Sequence, residues 1–562
     1  MSEASRDLLL LLTVGALLLA GIGLDLTTED AEPVAAERSG SAFFERAQFC
    51  PARILREGSG ADLAVATASD EAIPVGLDPL EPEPLELAAG SAAVRPIEGD
   101  QPIAVEGFGW PVVSTTSHFV DTSISRSGAV EGAGAGNCAA NASTSWYFPG
   151  GDSSVATDYR IVVANPFPDE AVVQLNLFTP EGREPSAQLA EVAVPSGEVE
   201  VVSVSGAALP QDLISVHLRS VRGRVIAWKA LWTKPEGEPP GLEFGLGAPA
   251  LATEWYFPAG EVGDDARQTI TLFNPSEEES SVSVSLGTDE EPVQSSKLIE
   301  IVVPPESSKE LMLADRLDKR TRNVGGISAV VSVDNDVPIA ADSSTTFDGD
   351  EPTGRISEVG ATSTSDAWLV GPPAIAPATD TLIVQNPSTR DASVDVVIYD
   401  GAPDQDAAGT APERLQGITV PAGLRAAIPL EDFVGTKPYF VAVTSTGGEV
   451  VVERFASVRG RSDLSSVMGQ PDFGRPQEIV GPAASPDRPG VSPHSGLPTS
   501  PQCRDRPIFG VPARLRPANR EWLTQEAAPG TKGSDGVRGW HPLPYVLKRS
   551  GAFSILRSLT GC

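Results

Sequence analysis

The sequence is poor in the residues from which enzymes and metal sites are usually built. Its 562 residues include only four cysteines and four histidines, and no two of these lie close enough in sequence to suggest a zinc-ligand pair. A Ser-His-Asp or Cys-His site would have to use His118 or His217, which lie in β-like segments without a Gly-x-Ser-x-Gly motif. We therefore expect no catalytic residues, no metal and no cofactor.

Positive charge is also scarce. Lys and Arg number 41 against 76 Asp and Glu, which gives a formal net charge of −35. A protein that binds nucleic acid needs a basic stripe that releases counterions from the phosphates, and no such stripe runs through the repeated part of this chain. The charge balance therefore argues against nucleic acid as a partner. It favours a solvated acidic surface over a cation-binding one.

Long hydrophobic runs are absent except at the N-terminus. Leu8 to Leu24 is an uncharged run that just reaches the lower limit for a transmembrane helix, about 17 residues. A cleavable signal peptide is the competing interpretation, but the nearest small-residue site, Val34-Ala35-Ala36, lies well beyond the run. Because Arg6 precedes the run, the N-terminus should stay inside and the rest be exported. We expect a membrane anchor over residues 1–27 and an acidic linker over 28–45; if the segment is cleaved, the protein is secreted.

Three sets of landmarks recur along the rest of the chain: an aromatic opening strand, an Asn-Pro turn and a Val-Pro turn. They are Trp146-Tyr147-Phe148-Pro149, Asn165-Pro166 and Val194-Pro195; Trp255-Tyr256-Phe257-Pro258, Asn274-Pro275 and Val303-Pro304; and Trp368-Leu369-Val370, Asn386-Pro387 and Val420-Pro421. The three opening tryptophans are separated by nearly equal lengths of chain. A near-constant period of this kind indicates an internal repeat.

The pattern within each repeat predicts a β-sandwich. Segments such as Val282-Ser283-Val284-Ser285-Leu286 alternate apolar and polar residues, as half-buried strands do. About seven short strands per repeat match a two-sheet sandwich of immunoglobulin or fibronectin size, whereas a propeller needs a shorter period. The predicted fold is all-β, with tandem immunoglobulin/fibronectin-like β-sandwich modules behind one N-terminal transmembrane helix. The modules, called I to IV below, are a degenerate copy over 46–143 and repeats over 144–250, 251–360 and 361–473.

Each landmark has a mechanical role. Alternation along an opening strand sends Trp255 and Phe257 into the core and leaves Tyr256 outward. The Asn-Pro pairs end strands, because proline cannot donate to a sheet ladder and asparagine forms local Asx hydrogen bonds. We therefore interpret the landmarks as residues that end strands and fill cores, and not as functional residues.

Module I lacks the aromatic opener but has a cysteine near each end. Cys50 and Cys138 are predicted to form a disulfide, since export favours oxidation, and the bridge would add about 4 kcal/mol in the chain-entropy model. The alternative is two separate buried thiols. We expect the bridge to substitute for the missing aromatic opener.

Candidates for ligand binding are weak. The acidic turns Asp334-Asn335-Asp336 and Asp348-Gly349-Asp350-Glu351 could ligate calcium, but neither has the EF-hand pattern, and Asx-rich turns are favoured. Exposed aromatic rings can stack on sugars, although burial between sheets is the plainer interpretation. A glycan contact is considered for four aromatic residues, Trp228, Trp232, Tyr147 and Tyr256.

The pattern stops at the C-terminal tail, 474–562. From Arg475 onward there are 12 Lys and Arg against 6 Asp and Glu, many prolines and no repeat landmark. One interpretation is a disordered basic extension. The favoured one is a frameshift product, because every aspect of composition changes at once, and translation of the other reading frames would decide.

The Trp-Tyr-Phe-Pro openers, Asn-Pro corners and Val-Pro-x-Gly corners, behind one hydrophobic segment, resemble an uncharacterised family of exported actinobacterial proteins, domain of unknown function 5719. The resemblance covers roughly residues 46–473 and departs at Leu369-Val370-Gly371, which replaces the aromatic pair and proline. It implies a cell-envelope location and supplies no catalytic residues. We expect a non-enzymatic, membrane-anchored scaffold, spacer or adhesion protein; the alternative is a cell-wall glycan-binding protein. Expected partners are the membrane and a cell-wall polysaccharide or another envelope protein.

Overall fold

The computed structural model describes residues 47–471 except for 53–59, 70, 108–111, 122–129, 234–239, 319–320, 322, 351, 372–378, 400–408, 436–437 and 458–463. The predicted anchor (1–27), linker (28–45) and tail (474–562) lie outside the described residues. Within the described ranges, no helix is long and apolar enough to cross a membrane.

Almost all regular structure in modules I and II is β-strand. Module I contains β1 (Ala47–Cys50), β2 (Gly60–Ala66), β3 (Ile73–Asp78), β4 (Glu81–Leu87), β5 (Ala92–Pro96), β6 (Ile103–Glu106), β7 (Val113–Asp121) and β8 (Val130–Asn137). Module II contains β9 (Ser145–Phe148), β10 (Thr157–Asn165), β11 (Ala171–Thr179), β12 (Gly182–Glu184), β13 (Val192–Val194), β14 (Glu198–Ser203), β15 (Ser215–Arg222), β16 (Ile226–Thr233) and β17 (Gly241–Leu246), with a 3-10 turn at Ala187–Leu189.

Modules III and IV repeat this plan. Module III contains β18 (Glu254–Phe257), β19 (Glu261–Val262), β20 (Ala266–Asn274), β21 (Ser280–Gly287), β22 (Pro292–Val293), β23 (Ile301–Val303), β24 (Ser307–Met312), β25 (Gly325–Gly326), β26 (Ser328–Val333), β27 (Ala340–Asp348) and β28 (Thr353–Val359), with a one-turn helix α1 (Leu313–Arg316) and a 3-10 turn at Ser296–Leu298. Module IV contains β29 (Ala367–Val370), β30 (Thr379–Gln385), β31 (Ala392–Tyr399), β32 (Ile418–Val420), β33 (Arg425–Pro429), β34 (Phe440–Thr446), β35 (Val451–Ser457), β36 (Leu464–Met468) and β37 (Gln470–Pro471), with a 3-10 turn at Glu413–Leu415.

Every module contains two larger antiparallel sheets with the same strand order, and module III has an additional two-stranded sheet, β19-β25. The inner sheets are β5-β2-β7-β8, β14-β10-β16-β17, β24-β20-β27-β28 and β33-β30-β35-β36. The outer sheets are β1-β6-β3-β4, β9-β15-β11-β12, β18-β26-β21-β22 and β29-β34-β31-β32. An immunoglobulin constant domain pairs its first two strands in one sheet, whereas here the opening strand and the next long strand lie in different sheets. The strand order therefore differs from that of an immunoglobulin constant domain.

The opening tryptophans lie in the cores, as predicted. Trp146, Trp255 and Trp368 are each 1% exposed, and each indole N–H donates to a backbone carbonyl just before or at the start of the third inner strand, that of Val225, Ile339 or Val450. Truncating a buried Trp to Ala typically costs about 3–5 kcal/mol. The buried indole therefore fastens the outer sheet to the inner sheet in three of the four modules.

The Asn-Pro corners are tied to the Val-Pro corners by one buried side chain. Asn274 Nδ2 donates to Glu278 O at 2.7 Å and to Val303 O at 3.2 Å, while its Oδ1 accepts from Ser276 N–H at 3.1 Å. Modules II and IV repeat these bonds through their own asparagines. In module I, Thr67 Oγ1 accepts from the Ser69 N–H at 3.1 Å, so the turn-forming half of the arrangement is retained there.

The residue after each Val-Pro-x step adopts a left-handed backbone conformation. Gly197 has φ 70° and Gly423 has φ 72°, and Gly90 has φ 55° at the corresponding corner of module I. Module III has Glu306 there, with φ 46°. A side chain in this region costs more than glycine does, so the glycine in the repeated Val-Pro-x-Gly motif serves the turn.

A disulfide joins Cys50 and Cys138, with Cα atoms 4.5 Å apart. A backbone bridge links the opening strand to the segment after the last inner strand in every module, and this register makes Cys50 equivalent to Phe148 and Cys138 equivalent to Gly247. A Cβ on Gly247 would lie 2.6 Å from the Phe148 ring. The same space in the core is thus filled by an aromatic ring against glycine in module II and by the disulfide in module I.

The four modules form a closed ring. The last inner strands β8, β17, β28 and β36 pack successively on one another, and β36 packs back on β8. Modules I and IV are joined by Gln48 Nε2 to Gln470 Oε1 at 2.9 Å and by Asn137 Nδ2 to Met468 O at 2.7 Å. The closure therefore brings together segments from the two ends of the repeated region.

The outward residue of each opening strand packs against the next module. Tyr147 of module II lies against the core of module III, and Tyr256 of module III, only 8% exposed, joins the core of module IV. Phe49 contacts the core of module II, and Leu369 packs with residues of module I. Tyr256 points outward from its own sandwich, as predicted, but it is not exposed on the molecule. Module IV covers this position in the ring of modules.

Candidate functional site between modules II and III

The inner sheet of module III has one polar face. Residues directly opposite one another in an antiparallel sheet point to the same side, and the register places three rows of side chains there. The rows are Glu310, Thr271 and Asp342; Met312, Thr269 and Ser344; and Arg267, Thr346 and Arg355. On the other face, Ile270 and Leu272 are fully buried in the core. The period-two alternation in β20 therefore builds a core on one side and a charged floor on the other.

Module II covers part of this floor and leaves a cleft of about 260 Å³ between the two modules. The walls come from the loop after its opening strand, from the loop before β15, from β16 and from the edge strand β17, namely Gly150, Gly151, Asp152, Asp212, Lys229, Leu231 and Glu243. Five carboxylates and three basic side chains line the cleft. It is therefore formally acidic.

Lys229 is the centre of the ionic contacts between the two modules. Its ammonium donates to Asp342 Oδ2 at 2.8 Å, to Ser357 Oγ at 2.6 Å and to Gly150 O at 3.1 Å, and lies 3.8 Å from Glu243 Oε2. Burial lowers the pKa of Lys229, but Asp342 and Glu243 outweigh burial and raise it overall. Removing one partner of such a buried pair typically costs about 3–5 kcal/mol, so Lys229 holds modules II and III in register.

Two carboxylates of the cleft, Glu243 and Glu310, hold protons more tightly than isolated ones. Burial raises the pKa of Glu243 even though Lys229 and Arg355 oppose the shift. Partial burial, followed by the charge of Asp342 and other carboxylates, raises the pKa of Glu310 to about 7. Every charged group that contributes to the Glu310 shift is a carboxylate. The mouth of the cleft therefore has an excess of negative charge.

Two buried oxygen atoms at the cleft have no hydrogen-bond partner among the described residues. They are Oδ1 of Asp342, a residue 1% exposed, and Oη of Tyr159, which is fully buried. A Cβ on Gly150 would lie 2.6 Å from Asp342 Oδ1, so the close approach of the chain to this oxygen requires glycine. An unpaired buried acceptor costs about 1–3 kcal/mol, and more when it is charged. A donor that entered the cleft would remove this cost.

The corresponding positions at the other interfaces differ. The register places Trp228 of module II, Glu453 of module IV and Thr115 of module I where module III has Asp342. Trp228 is fully buried and its indole donates to Asn137 O at 3.3 Å, which makes that part of the I–II interface apolar. A carboxylate at this position is thus shared by modules III and IV and is not a property of the whole repeat.

A model of a family of unknown function (DUF5719) matches residues 113–353 and 334–459, more than half of the chain. The chain belongs to this family. No curated protein matches it. A solved structure titled "Crystal Structure of Thermotoga maritima 1070" is 19% identical, and the match covers 20% of this chain and 95% of that chain with a TM-score of 0.17.

In this DUF5719 protein the aromatic residues considered for glycan contact are used in packing. Trp228 is fully buried, Trp232 packs against the core of module II, and Tyr147 stacks on His217 with ring centroids 4.4 Å apart. Tyr256 is covered by module IV, and its hydroxyl donates to Glu254 at 2.6 Å. All four side chains therefore pack against protein, although Trp232 and Tyr147 remain partly exposed.

The acidic turns considered for calcium have internal partners where the structure describes them. Asp334 Oδ2 accepts from the Ser283 hydroxyl at 2.9 Å, and Asn335 Oδ1 accepts from the Ser281 N–H at 3.0 Å. No group of three His, Cys, Asp or Glu in the described ranges could hold a metal ion. The first turn is thus an Asx-rich hairpin; Glu351 of the second lies outside the described residues.

The residues that build the cleft were missed by motif reasoning. The signal that could have found them is a charge inside an otherwise apolar strand: Lys229 within Ile226–Thr233, and Asp342 directly after Ala340-Ala341. A charge in a buried strand needs a partner. Two such charges in successive repeats therefore point to a contact between modules.

Proposed function

We propose that the protein is a non-enzymatic scaffold or interaction protein of the cell envelope, held at the membrane by its N-terminal segment. The carrying observation is the closed ring, in which module IV returns to module I through Gln48 and Gln470. Four modules in a ring extend less far than four modules in a line. The ring, however, holds their surfaces in fixed positions relative to one another. This geometry favours a scaffold over the extended spacer that a linear array would provide.

The positions of the two histidines in the modules support a non-enzymatic role. His118 is fully buried, with both ring nitrogens unpaired among the described residues. His217 stacks on Tyr147, and burial lowers its pKa to about 4. Neither ring is presented to a nucleophile and an open site, as a general base must be.

The size and two-sheet form of the modules also support an envelope role. Many cell-surface domains are sandwiches of about one hundred residues with different connections between strands. The immunoglobulin-like comparison is thus proposed at the level of architecture and size. The disulfide between Cys50 and Cys138 is consistent with an oxidising compartment.

Localisation tests the envelope part of this proposal. The full chain and a variant lacking residues 8–24 would be expressed in a bacterial host and followed by membrane fractionation and by protease added to spheroplasts. We expect the full chain in the membrane fraction and cleaved from outside, and the variant in the soluble fraction. A full chain found in the cytosol and protected from protease would overturn the envelope assignment.

Particle shape tests the scaffold part. Negative-stain images of the detergent-solubilised full chain should show one compact particle. A string of four separate beads would remove the observation that carries the scaffold proposal.

A further inference from the structure

The cleft between modules II and III has more negative than positive groups available to a ligand. Lys229 is already bonded to Asp342, Arg267 pairs with Asp348, and the charge of Arg355 acts on Glu243. Asp212 and Glu310 lie on opposite walls, one from each module. The unmatched charge is therefore carboxylate, and it is distributed around the mouth of the cleft.

The spacing of these groups does not suit a metal ion. A hard divalent cation gathers several oxygens at about 2.3–2.6 Å, and no three acidic side chains among the described residues are close enough to do so. An ammonium group carries three N–H donors on a flexible stem and can reach oxygens on separate walls. The cleft therefore suits an organic cation better than a metal ion.

An unpaired buried acceptor indicates where such a donor would bind. Asp342 lines the cleft, is 1% exposed and has no hydrogen-bond partner for its Oδ1 in the described part of the chain. Its other oxygen is held by Lys229 at 2.8 Å, which fixes the carboxylate in place. Oδ1 is thus a preorganised acceptor on the wall of the cleft, where Asp342 packs against Gly150.

The segments that carry the acidic rim of the cleft also carry exposed apolar side chains. Val155 is 96% exposed and follows the cleft residue Asp152, Leu209 is 66% exposed and precedes Asp212, and Met312, which lines the cleft, is 43% exposed. The two loops are joined by the Ser153 hydroxyl, which donates to Leu209 O at 2.7 Å. Exposed apolar side chains around a polar centre are typical of an interaction site. They suit the hydrocarbon stem of a lysine.

We propose that this cleft binds a primary ammonium group, the Asp342 carboxylate accepting from it and Glu310 and Asp212 closing around it. The ammonium comes from the lysine side chain of a polypeptide partner or from a small alkyl amine. This deepens the interaction role proposed above and rests on it only for the source of the ligand. Binding to purified protein is independent of cellular location, so failure here is distinguishable from failure of the envelope assignment.

Calorimetry on the purified full chain tests the proposal with three probes: Nα-acetyl-lysine-N-methylamide, its neutral analogue Nα-acetyl-norleucine-N-methylamide, and the peptide acetyl-Leu-Lys-Leu-amide. We expect the lysine probe to bind and the norleucine probe to bind at least about tenfold more weakly, the size expected for a charge-assisted hydrogen bond. Binding should weaken as salt is raised. Equal affinity for the charged and neutral probes, or binding of neither, overturns the proposal.

Two variants locate the site. Glu310→Gln and Asp212→Asn are on the exposed rim, so either can be used if the other fails to fold; each should weaken the lysine probe about tenfold. The matched control is Glu277→Gln, an exposed carboxylate elsewhere on module III, which should change the affinity by less than about twofold. If the rim variants behave like the control, the ammonium site is elsewhere and the proposal fails.

The peptide distinguishes the two sources. Tighter binding of the peptide than of the lysine probe, lost on Leu209→Ser, supports the site with a polypeptide partner that uses the rim. Equal binding, unaffected by Leu209→Ser, supports the same site with a free amine as its ligand.

Discussion

Protonation of a buried histidine should weaken the contact between modules I and II at acid pH. His118 is fully buried, lies 4.3 Å from the Phe244 ring of module II, and has its pKa lowered by burial to about 3. An unfolded histidine has a pKa of about 6.5. Because the folded pKa is lowered, the stabilising contribution is complete above pH 6.5 and is lost as the pH falls towards 3.

The size of the effect follows from the two pKa values. Each pH unit between them is worth about 1.4 kcal/mol, so the loss at pH 4.5 is about 2.7 kcal/mol. The variant His118→Leu introduces the residue found at the equivalent position of module II, Leu231, and removes the titration. As the pH is lowered from 7.5 to 4.5, the free energy of unfolding of this variant should rise by the same amount relative to that of the wild type.

A second buried group titrates in the opposite direction. Burial raises the pKa of Glu453 to about 7 despite hydrogen bonds from Ser466 and the Ala259 N–H. This raised pKa gives stability that is complete below about 4.5 and is lost as the pH rises through 7. In His118→Leu, the free energy of unfolding should therefore fall as the pH rises towards neutral. In Glu453→Gln, it should fall as the pH is lowered.

Native-state hydrogen exchange is the suitable assay, because it reports local opening in a chain of four modules that need not unfold in one step. The quantity compared is the opening free energy at each pH from 4.5 to 7.5, measured at amides of β7 and β17 for His118→Leu and at amides of β35 for Glu453→Gln. Other titrating groups cancel in the difference between wild type and variant. A difference for His118→Leu that stays constant within about 0.5 kcal/mol over this range would refute the burial argument.

Three further predictions concern the repeat landmarks. Reducing the disulfide, or replacing Cys50 and Cys138 by alanine, should lower the free energy of unfolding of module I by about 4–5 kcal/mol, since 88 residues separate the cysteines. Urea unfolding, followed by hydrogen exchange at amides of module I, would measure this loss. An unchanged free energy of unfolding would refute the prediction. Asn274→Ala should destabilise module III by about 2–4 kcal/mol, because it leaves buried carbonyls of the corner without a donor. Glu306→Gly should raise the thermal midpoint of module III, because glycine adopts the left-handed backbone at φ 46° without strain. Calorimetry would test both, and a shift of the opposite sign would contradict either prediction.

Local features of the fold could be predicted because local chemistry determines them. Trp255 and Phe257 fall on one face of a strand by period-two alternation, and both are buried in the core. Asn274 ends its strand because the following proline cannot donate to a ladder and its own amide binds the turn. The corner near Gly90 has the same left-handed backbone conformation as the Val-Pro-x-Gly corners.

The strand order and the ring could not be predicted in this way. Both depend on contacts far apart in sequence, such as Gln48 with Gln470, and the local pattern of a strand does not specify its neighbour. Tyr256 illustrates the consequence: alternation correctly sends it away from its own core, yet only the ring shows that another core receives it. The cleft was missed for the same reason, because Lys229 and Asp342 come from different modules.

Ring closure explains how one interface can be polar without loss of the assembly. In a linear array, modules II and III would be held together by their own interface and linker alone, and a buried ionic cluster there would contribute little because desolvation offsets the attraction. In the ring, the other three interfaces already hold modules II and III close together. The two surfaces therefore meet at a higher effective concentration than in a linear array. The II–III interface can therefore carry unpaired acceptors such as Asp342 Oδ1 that a solitary interface would not tolerate. It follows that opening the ring at Gln48 and Gln470 should weaken the II–III contact as well, which ties the acidic cleft to the integrity of all four modules.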